Sequence, residues 1–272
     1  MKKVGIIGGS GYTGGELIRL IIDHPKIELN FVYSTTKQGK LITDTHLDLL
    51  GRTNLLFTNK INSNVDILFL CLGHGKSKVF LESIKFSDST HIIDLSNDFR
   101  LNKENLKSKL NFIYGLPEFQ KDKISKAKYI ANPGCFATAI QLSLLPLAKN
   151  NLIKNDIHTS ATTGSTGAGA SLSDTKHFSW RNNNLSWYKP FVHQHLREIK
   201  QTLSSLIKNK FEIIFLPYRG NFTRGIFSTS YLNYQGSLES ANELFDDYYK
   251  NDPFTHISKN EISLKNVVNS NN

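Results

Sequence analysis

The apolar positions of this chain fall first into short runs separated by glycines, and then into longer stretches with helical spacing. Lys3 to Ile7 reads as a short buried strand, and Tyr12 to Ile22 as a helix with apolar residues at Leu17, Leu20 and Ile21. Glu28 to Ser34 is a second strand. Val65 to Leu72 is an unbroken apolar run, the pattern of a strand buried on both faces. Lys76 to Ile84 then reads as a helix and His91 to Leu95 as a strand. Strands alternating with helices at this spacing predict a doubly wound parallel sheet over roughly the first 130 residues. Tyr129-Ile130-Ala131 is another apolar run, and Asn132-Pro133-Gly134 turns it into a helix over Phe136 to Lys149. Beyond this helix the pattern changes. Asp156 to Thr162 reads as a strand, Lys176 to Pro190 is aromatic and polar with little periodicity, and a helix opens near Val192 and runs to about Lys208. Strands are expected over Phe211 to Pro217, Ile226 to Tyr234 and Ile262 to Val268. No internal repeat or low-complexity linker interrupts the series.

Composition narrows the class. A chain of 272 residues, 39% hydrophobic, is long enough for one large or two ordinary domains. No apolar run approaches the roughly 20 residues that a membrane span needs. The basic start, Met1-Lys2-Lys3, mimics a signal peptide, but Gly8-Gly9-Ser10-Gly11 interrupts the apolar segment too early. Cys71 and Cys135 are the two cysteines, too few for a disulfide framework, so a reducing, cytoplasmic setting is expected. The net charge of +10 comes from scattered lysines without a basic, aromatic-interleaved stripe. That pattern points away from nucleic acid and towards a small anionic substrate or cofactor.

The candidate chemistry sits at the joints of the pattern. Gly8-Gly9-Ser10-Gly11-Tyr12-Thr13-Gly14 lies between a strand and a helix, where glycines let the backbone approach a pyrophosphate facing the helix N-terminus. Where an NAD site carries an acid for the ribose 2′-hydroxyl, the chain instead reads Ser34-Thr35-Thr36-Lys37. Hydroxyls and a lysine suit a 2′-phosphate, so NADP(H) is the expected cofactor. The strand ends at Gly73 and Ser96 should line the same crevice.

Cys135, at or near the first turn of its helix, is either a small buried hydrophobe or a nucleophile. In the second case the helix N-terminus would favour its thiolate. Cys71, inside an apolar run, reads as core. Thr163 to Ala170 is a small-residue loop, either a linker or a phosphate cradle built from exposed amides. His193, His195 and Glu198 can serve a cysteine as proton donor, substrate ligand and orienting carboxylate; His193, nearer the helix start, is the first choice for the proton. A metal site is disfavoured, because histidines two apart do not share a helix face. Tyr218 to Gly225 reads as a basic turn in which Arg219 or Arg224 can clamp a carboxylate or phosphate.

Several of these segments together resemble one family, the N-acetyl-gamma-glutamyl-phosphate reductases of arginine biosynthesis. They are Gly8 to Leu17, Asp94-Leu95-Ser96-Asn97-Asp98-Phe99-Arg100, Tyr114-Gly115-Leu116-Pro117-Glu118, Ala131 to Cys135, Gly164 to Gly169, His193-Gln194-His195 and Arg224-Gly225-Ile226. The resemblance implies an NADP-binding Rossmann domain over residues 1–134. A catalytic and dimerisation domain like that of glyceraldehyde-3-phosphate dehydrogenase would follow over 135–272. It implies Cys135 as nucleophile, acid–base help from His193, His195 and Glu198, and substrate ligands among Arg100, Asn132, Ser165, Gly167, Arg219 and Arg224. A homo-oligomer, dimer or tetramer, is also implied. Members of the family continue past a strand like Ile262 to Val268 into a further strand and a helix, a segment this sequence does not contain. Aspartate-semialdehyde dehydrogenase, with the same chemistry, and a non-catalytic NADP-binding protein are the competing expectations.

Overall fold

The computed structural model describes residues 1–105, 110–268 and 270–271. They form two compact units, Met1–Pro133 and Gly134–Asn272. The first unit is built on a parallel sheet of seven strands. In chain order these are β1 (Lys2–Ile7), β2 (Ile27–Tyr33), β3 (Phe57–Thr58), β4 (Ile67–Leu70), β5 (His91–Asp94), β6 (Phe112–Tyr114) and β7 (Tyr129–Ala131). Its helices are α1 (Tyr12–Ile22), α2 (Lys76–Ser83), α3 (Asn102–Asn105) and α4 (Pro117–Ile124).

The spatial order β3-β2-β1-β4-β5-β7-β6 reverses direction at β1. In such sheets ligands bind beyond the carboxyl ends of the strands flanking the reversal. The register sets Ile7 beside both Tyr33 and Leu70, so Gly8, Ser34 and Cys71 leave the sheet together. The apolar runs divide between the two faces. Val4 and Ile6 join Ile18, Ile21, Val32 and Phe57 in one core, and Ile7 joins Leu68, Leu70, Ile92 and Phe112 in the other. Ile6 and Ile7 are both fully buried on opposite sides, which is why this strand carries no polar alternation.

The second unit pairs a four-stranded sheet, order β11-β8-β10-β9, with helices on one face. Its elements are α5 (Cys135–Lys149), β8 (Ile157–Thr163), α6 (Phe178–Arg181), β9 (Ser186–Trp187), α7 (His195–Ser204), β10 (Ile213–Arg219), β11 (Ile226–Tyr231) and α8 (Leu238–Tyr249). β8 and β10 run parallel, while β9 and β11 are antiparallel to their neighbours. Phe136, Ile140 and Leu144 of α5, Ile199 and Leu203 of α7, and Ile157, Ala161, Ile213 and Phe215 of the sheet form its core. Among the described residues no helix is long and apolar enough to cross a membrane.

Several boundaries differ from those read off the sequence. The strand expected over Val65 to Leu72 shrinks to Ile67–Leu70, and the Val65 carbonyl accepts the Thr90 hydroxyl at 2.7 Å. Tyr218 and Arg219 lie in β10 rather than in a turn, because Arg219 still pairs with Thr163 on one side and Ser186 on the other. No strand forms over Ile262 to Val268; Leu264–Asn266 is a 3₁₀ turn, with the Asn266 side-chain oxygen accepting from both the amide and the hydroxyl of Ser263. The helix expected from Val192 starts only at His195, after Lys189 and Phe191 adopt positive φ (47° and 62°). His193 is therefore off the helix, so the rule about residues two apart does not apply. The imidazoles of His193 and His195 meet with ring centroids 4.7 Å apart.

Candidate active site

The glycine loop of the first unit divides into positions required by the protein and one left open. Gly8 has φ +85°, and a Cβ there would lie 2.7 Å from the Cys71 carbonyl oxygen. At Gly14 a Cβ would meet the Gly9 Cα at 2.5 Å, so helix α1 can sit this close to the loop only without a side chain. At Gly11, by contrast, a Cβ meets nothing nearer than the Gly8 oxygen at 3.8 Å. Gly11 is the N-cap of α1, which has no side-chain cap and no acid in its first turn; Tyr12 and Thr13 are exposed there. Gly14→Ala should therefore cost about 1–3 kcal/mol of stability, and Gly11→Ala less than about 0.5 kcal/mol. Urea unfolding of both variants checks this, and equal losses would show that Gly11 is also a packing glycine.

At the end of β2 the Ser10 and Ser34 hydroxyls lie 3.1 Å apart, and the Thr36 hydroxyl is 3.4 Å from that of Ser34. Ser34 is buried, whereas Thr35 and Thr36 are exposed. Gly73 has open space where a side chain would be. Ser96 is buried, and its hydroxyl donates to Asp94 at 2.6 Å while accepting the Asp98 amide at 3.1 Å. Burial pushes the Asp94 carboxyl above the usual range. Asp98 accepts the amides of Gly75 (2.6 Å) and Lys78 (3.0 Å), capping the N-terminus of α2. Arg100 is also buried: Nε donates to the Asn132 carbonyl at 2.8 Å and Nη2 to the Leu95 carbonyl at 3.0 Å. It ties the ends of β5 and β7 together. Asn132 is exposed, and its side-chain amide donates to the Pro133 carbonyl at 3.2 Å.

In the second unit Cys135 is the first residue of α5 and is exposed, which removes the reading of a small buried hydrophobe. The preceding Gly134 is held from α7. Its amide donates to Glu198 Oε2 at 2.9 Å, and a Cβ on it would lie 2.4 Å from His195 Nε2. The second Glu198 oxygen is 4.0 Å from that same nitrogen, and both side chains are buried. Glycine before the cysteine thus lets an imidazole lie flat against the backbone that carries the thiol.

His193 occupies a different environment. Its ring is buried edge-on to Phe136, Tyr188 and Phe215, and Nδ1 accepts the His195 amide at 3.2 Å. Burial, then the neighbouring His195, push its pKa down to about 4. It is therefore a neutral ring at physiological pH, with its proton on Nε2.

Tyr188 is a site residue that the sequence pattern did not single out. Burial and the nearby Cys135 push its phenol up to about 12, with Arg219 pulling in the opposite direction. The Arg219 guanidinium stands 4.8 Å from the Tyr188 ring centroid. Cys71, by comparison, is pushed up to about 12 by burial and Asp94, an inert thiol at neutral pH. In the small-residue loop, the amides of Gly164, Ser165 and Thr166 donate to the carbonyls of Gly225, Phe222 and Thr223. Those amides fasten the turn before β11 and are not open to phosphate. Gly167 and Arg224 are exposed near this turn. Among the described residues no group of three or more His, Cys, Asp or Glu is placed to hold a metal ion.

A reversed parallel sheet with a glycine loop, followed by a unit with an exposed cysteine at a helix start beside a His–Glu pair, defines a class. Family models divide the chain accordingly: semialdehyde dehydrogenase, NAD binding domain, over residues 3–127, and semialdehyde dehydrogenase, dimerisation domain, over 135–272. The chain is thus an oxidoreductase of the phosphorylating aldehyde dehydrogenase type. More particularly, it belongs to the N-acetyl-gamma-glutamyl-phosphate reductase family. It is 56% identical over 273 residues to the reductase of Flavobacterium johnsoniae and 54% over 272 to that of Christiangramia forsetii, covering 100% of this chain and 84% of each relative. Aspartate semialdehyde dehydrogenase II of Vibrio cholerae has the same fold, with TM-score 0.64 at 14% identity, over 91% of this chain and 79% of that one. The aspartate semialdehyde dehydrogenase of Candida albicans, solved with NADP, gives TM-score 0.63 at 15% identity, over 90% and 75%.

Proposed function

We propose that the protein reduces N-acetyl-gamma-glutamyl phosphate to N-acetyl-glutamate semialdehyde with NADPH and releases inorganic phosphate, a step of arginine biosynthesis in the cytoplasm. The observation that carries this reading is Cys135 at the open start of α5, with His195 and Glu198 packed on Gly134. An α5 first turn favours negative charge, so Cys135 serves as a thiolate that attacks the acyl carbon. Phosphate leaves with the electrons of the carbon–oxygen bond, and a thioester remains on sulfur. The nicotinamide cofactor, when bound, supplies a hydride to that acyl carbon. His195 Nε2 gives a proton to the carbonyl oxygen as it becomes an alkoxide and takes it back as the carbon–sulfur bond breaks. The aldehyde then departs and the Cys135 thiolate is restored. Glu198 orients the imidazole and stabilises its protonated form, and His193, neutral and enclosed, supports it. Arg219, with Ser165, Gly167 and Arg224 at the neighbouring turn, meets the anionic groups of the substrate.

The residues of the first unit fit a dinucleotide. The open Cβ direction at Gly11 and the uncapped amides of α1 would receive the pyrophosphate. The Ser10, Ser34 and Thr36 hydroxyls, with Thr35 beside them and no carboxylate among them, would take the ribose and its 2′-phosphate. Gly73 leaves backbone room, while Ser96 contributes through the fixed loop rather than its engaged hydroxyl. NADPH should bind at least about tenfold more tightly than NADH, about 1.4 kcal/mol. Fluorescence titration of the reduced cofactors checks this, and equal affinity would refute the 2′-phosphate reading. Self-association follows from the dimerisation domain. The whole proposal is tested by assaying purified protein with N-acetyl-gamma-glutamyl phosphate: phosphate release and NADPH oxidation should run one to one, and oxidation without phosphate release would refute it.

A further inference from the structure

The stretch from Arg181 to Phe191 has features that neither packing nor the proton-transfer groups account for. Asn183, Lys189 and Phe191 hold φ of 51°, 47° and 62°, a left-handed region that Asn tolerates but that Lys and Phe enter only under strain. Two of these residues follow Tyr188 closely. The backbone is fixed there all the same: the Tyr188 amide donates to the Pro217 carbonyl at 3.1 Å, and that of Phe191 to the Phe215 carbonyl at 2.9 Å. The strained path presents the Tyr188 ring to Arg219.

Two guanidinium groups converge at this point. Arg181 is 6% exposed; its Nη1 donates to the Arg219 carbonyl at 3.1 Å and its Nη2 to the Ser186 hydroxyl at 2.8 Å. Burial and the nearby Arg219 both weaken its hold on its proton. Arg219 Nη1 donates to the Thr175 hydroxyl at 3.4 Å, and its guanidinium also neighbours the Tyr188 phenol. The Nε atoms of both arginines are buried without a hydrogen-bond partner. Among the described residues no carboxylate pairs with either. Two cations brought together without a counter-charge is an unfavourable arrangement unless an anion is its normal occupant. A planar cation over an aromatic face is held in orientation while its edge stays free to bind an oxyanion.

We propose that Tyr188 is a positioning residue whose ring holds the Arg219 guanidinium, backed by Arg181, as the receptor for an oxyanion of the substrate beside Cys135. The assignment rests on Cys135 as the reacting thiol. It adds that the anion is selected by an aromatic platform rather than by a flexible surface charge.

Alkylation of Cys135 in the full chain tests this without turnover. Iodoacetate carries a carboxylate and iodoacetamide does not, so the ratio of their rates reports the anion receptor, while the iodoacetamide rate alone reports the thiol. Relative to wild type, the ratio should fall about tenfold in Arg219→Gln and comparably in Tyr188→Leu, and should hold within about twofold in Tyr188→Phe, which keeps the ring. Arg219→Lys, which keeps the charge and loses the planar face, should fall like Tyr188→Leu. A wild-type ratio in either Tyr188→Leu or Arg219→Lys would overturn the proposal, and the second variant decides should the first fail to fold. N-acetyl-glutamate or inorganic phosphate should slow the iodoacetate reaction in wild type, and whichever protects names the group received; protection by neither would overturn it. Absence of acyl-phosphate reduction with the ratios as expected would reject the reaction and leave the receptor standing.

Discussion

Cys135→Ser should lower acyl-phosphate reduction by roughly 10⁴-fold or more, as expected when the group that carries a covalent intermediate is removed. Its hydroxyl would sit at the same head of α5, so NADPH affinity and thermal stability should stay near those of the parent. An alcohol there is far less acidic than a thiol, and the ester it would form accepts hydride poorly. The remaining cysteine provides an internal control. Cys71 is held up at about 12, so iodoacetamide at neutral pH should modify Cys135 and spare Cys71. Peptide mass spectrometry reads this directly, and substrate should protect the labelled site. Turnover retained in Cys135→Ser, or label found on Cys71 alone, would reject the thioester route.

The second large effect is expected at His195. His195→Asn should reduce kcat by about 10²–10⁴-fold, the usual contribution of a positioned proton-transfer group. His193→Asn should act mainly on stability, since it opens a box formed by Phe136, Tyr188, Phe215 and His195. A pH series separates the two roles. The His193 pKa falls from about 6.5 unfolded to about 4 folded. Above pH 6.5 neither state binds the proton, so stability does not change. Between pH 6.5 and 4 the unfolded chain binds a proton that the folded chain refuses, so stability falls with acid. The full loss, about 3 kcal/mol by the usual conversion, is reached below pH 4. His193→Asn should abolish that slope, while His195→Asn should only lessen it, because burial, the larger cause of the shift, remains. The opposite assignment, with turnover lost only in His193→Asn, would return the proton to the residue nearer the chain's own turn.

The fold was legible because its signals are local. Glycines at Gly8 and Gly14, the apolar runs of β1 and β4 and the Pro133-Gly134 turn each act within a few residues of where they stand. The position of Cys135 at a helix start was readable for the same reason. The preference for His195 over His193 in the proposed chemistry was not, because it rests on Gly134 meeting Glu198, sixty-four positions away in the chain. The start of α7 moved off Val192 through positive φ at Lys189 and Phe191, residues with no sequence signature for it. Tyr188 escaped notice because it lies in an aperiodic stretch and gains its meaning from Arg219 on another strand. The Thr163 to Ala170 loop misled in the other direction. Small residues suggested open amides, but the turn at Phe222 to Gly225 occupies those of Gly164, Ser165 and Thr166. Helix α8 was overlooked since its apolar residues, Leu244, Phe245 and Tyr249, are outnumbered by acidic and polar neighbours.

The two helix starts at the ends of β1 and β4 are not equivalent ports. That of α1 is uncapped, while that of α2 is closed by Asp98 through the Gly75 and Lys78 amides. A carboxylate carried on the same chain acts at an effective concentration of order millimolar or above. Any free anion must displace it before docking on α2, whereas α1 has no side-chain cap to displace. The chain thus holds its own resident competitor at one port, so the proposed diphosphate site at α1 would be favoured over α2 before any contact with sugar or base discriminates.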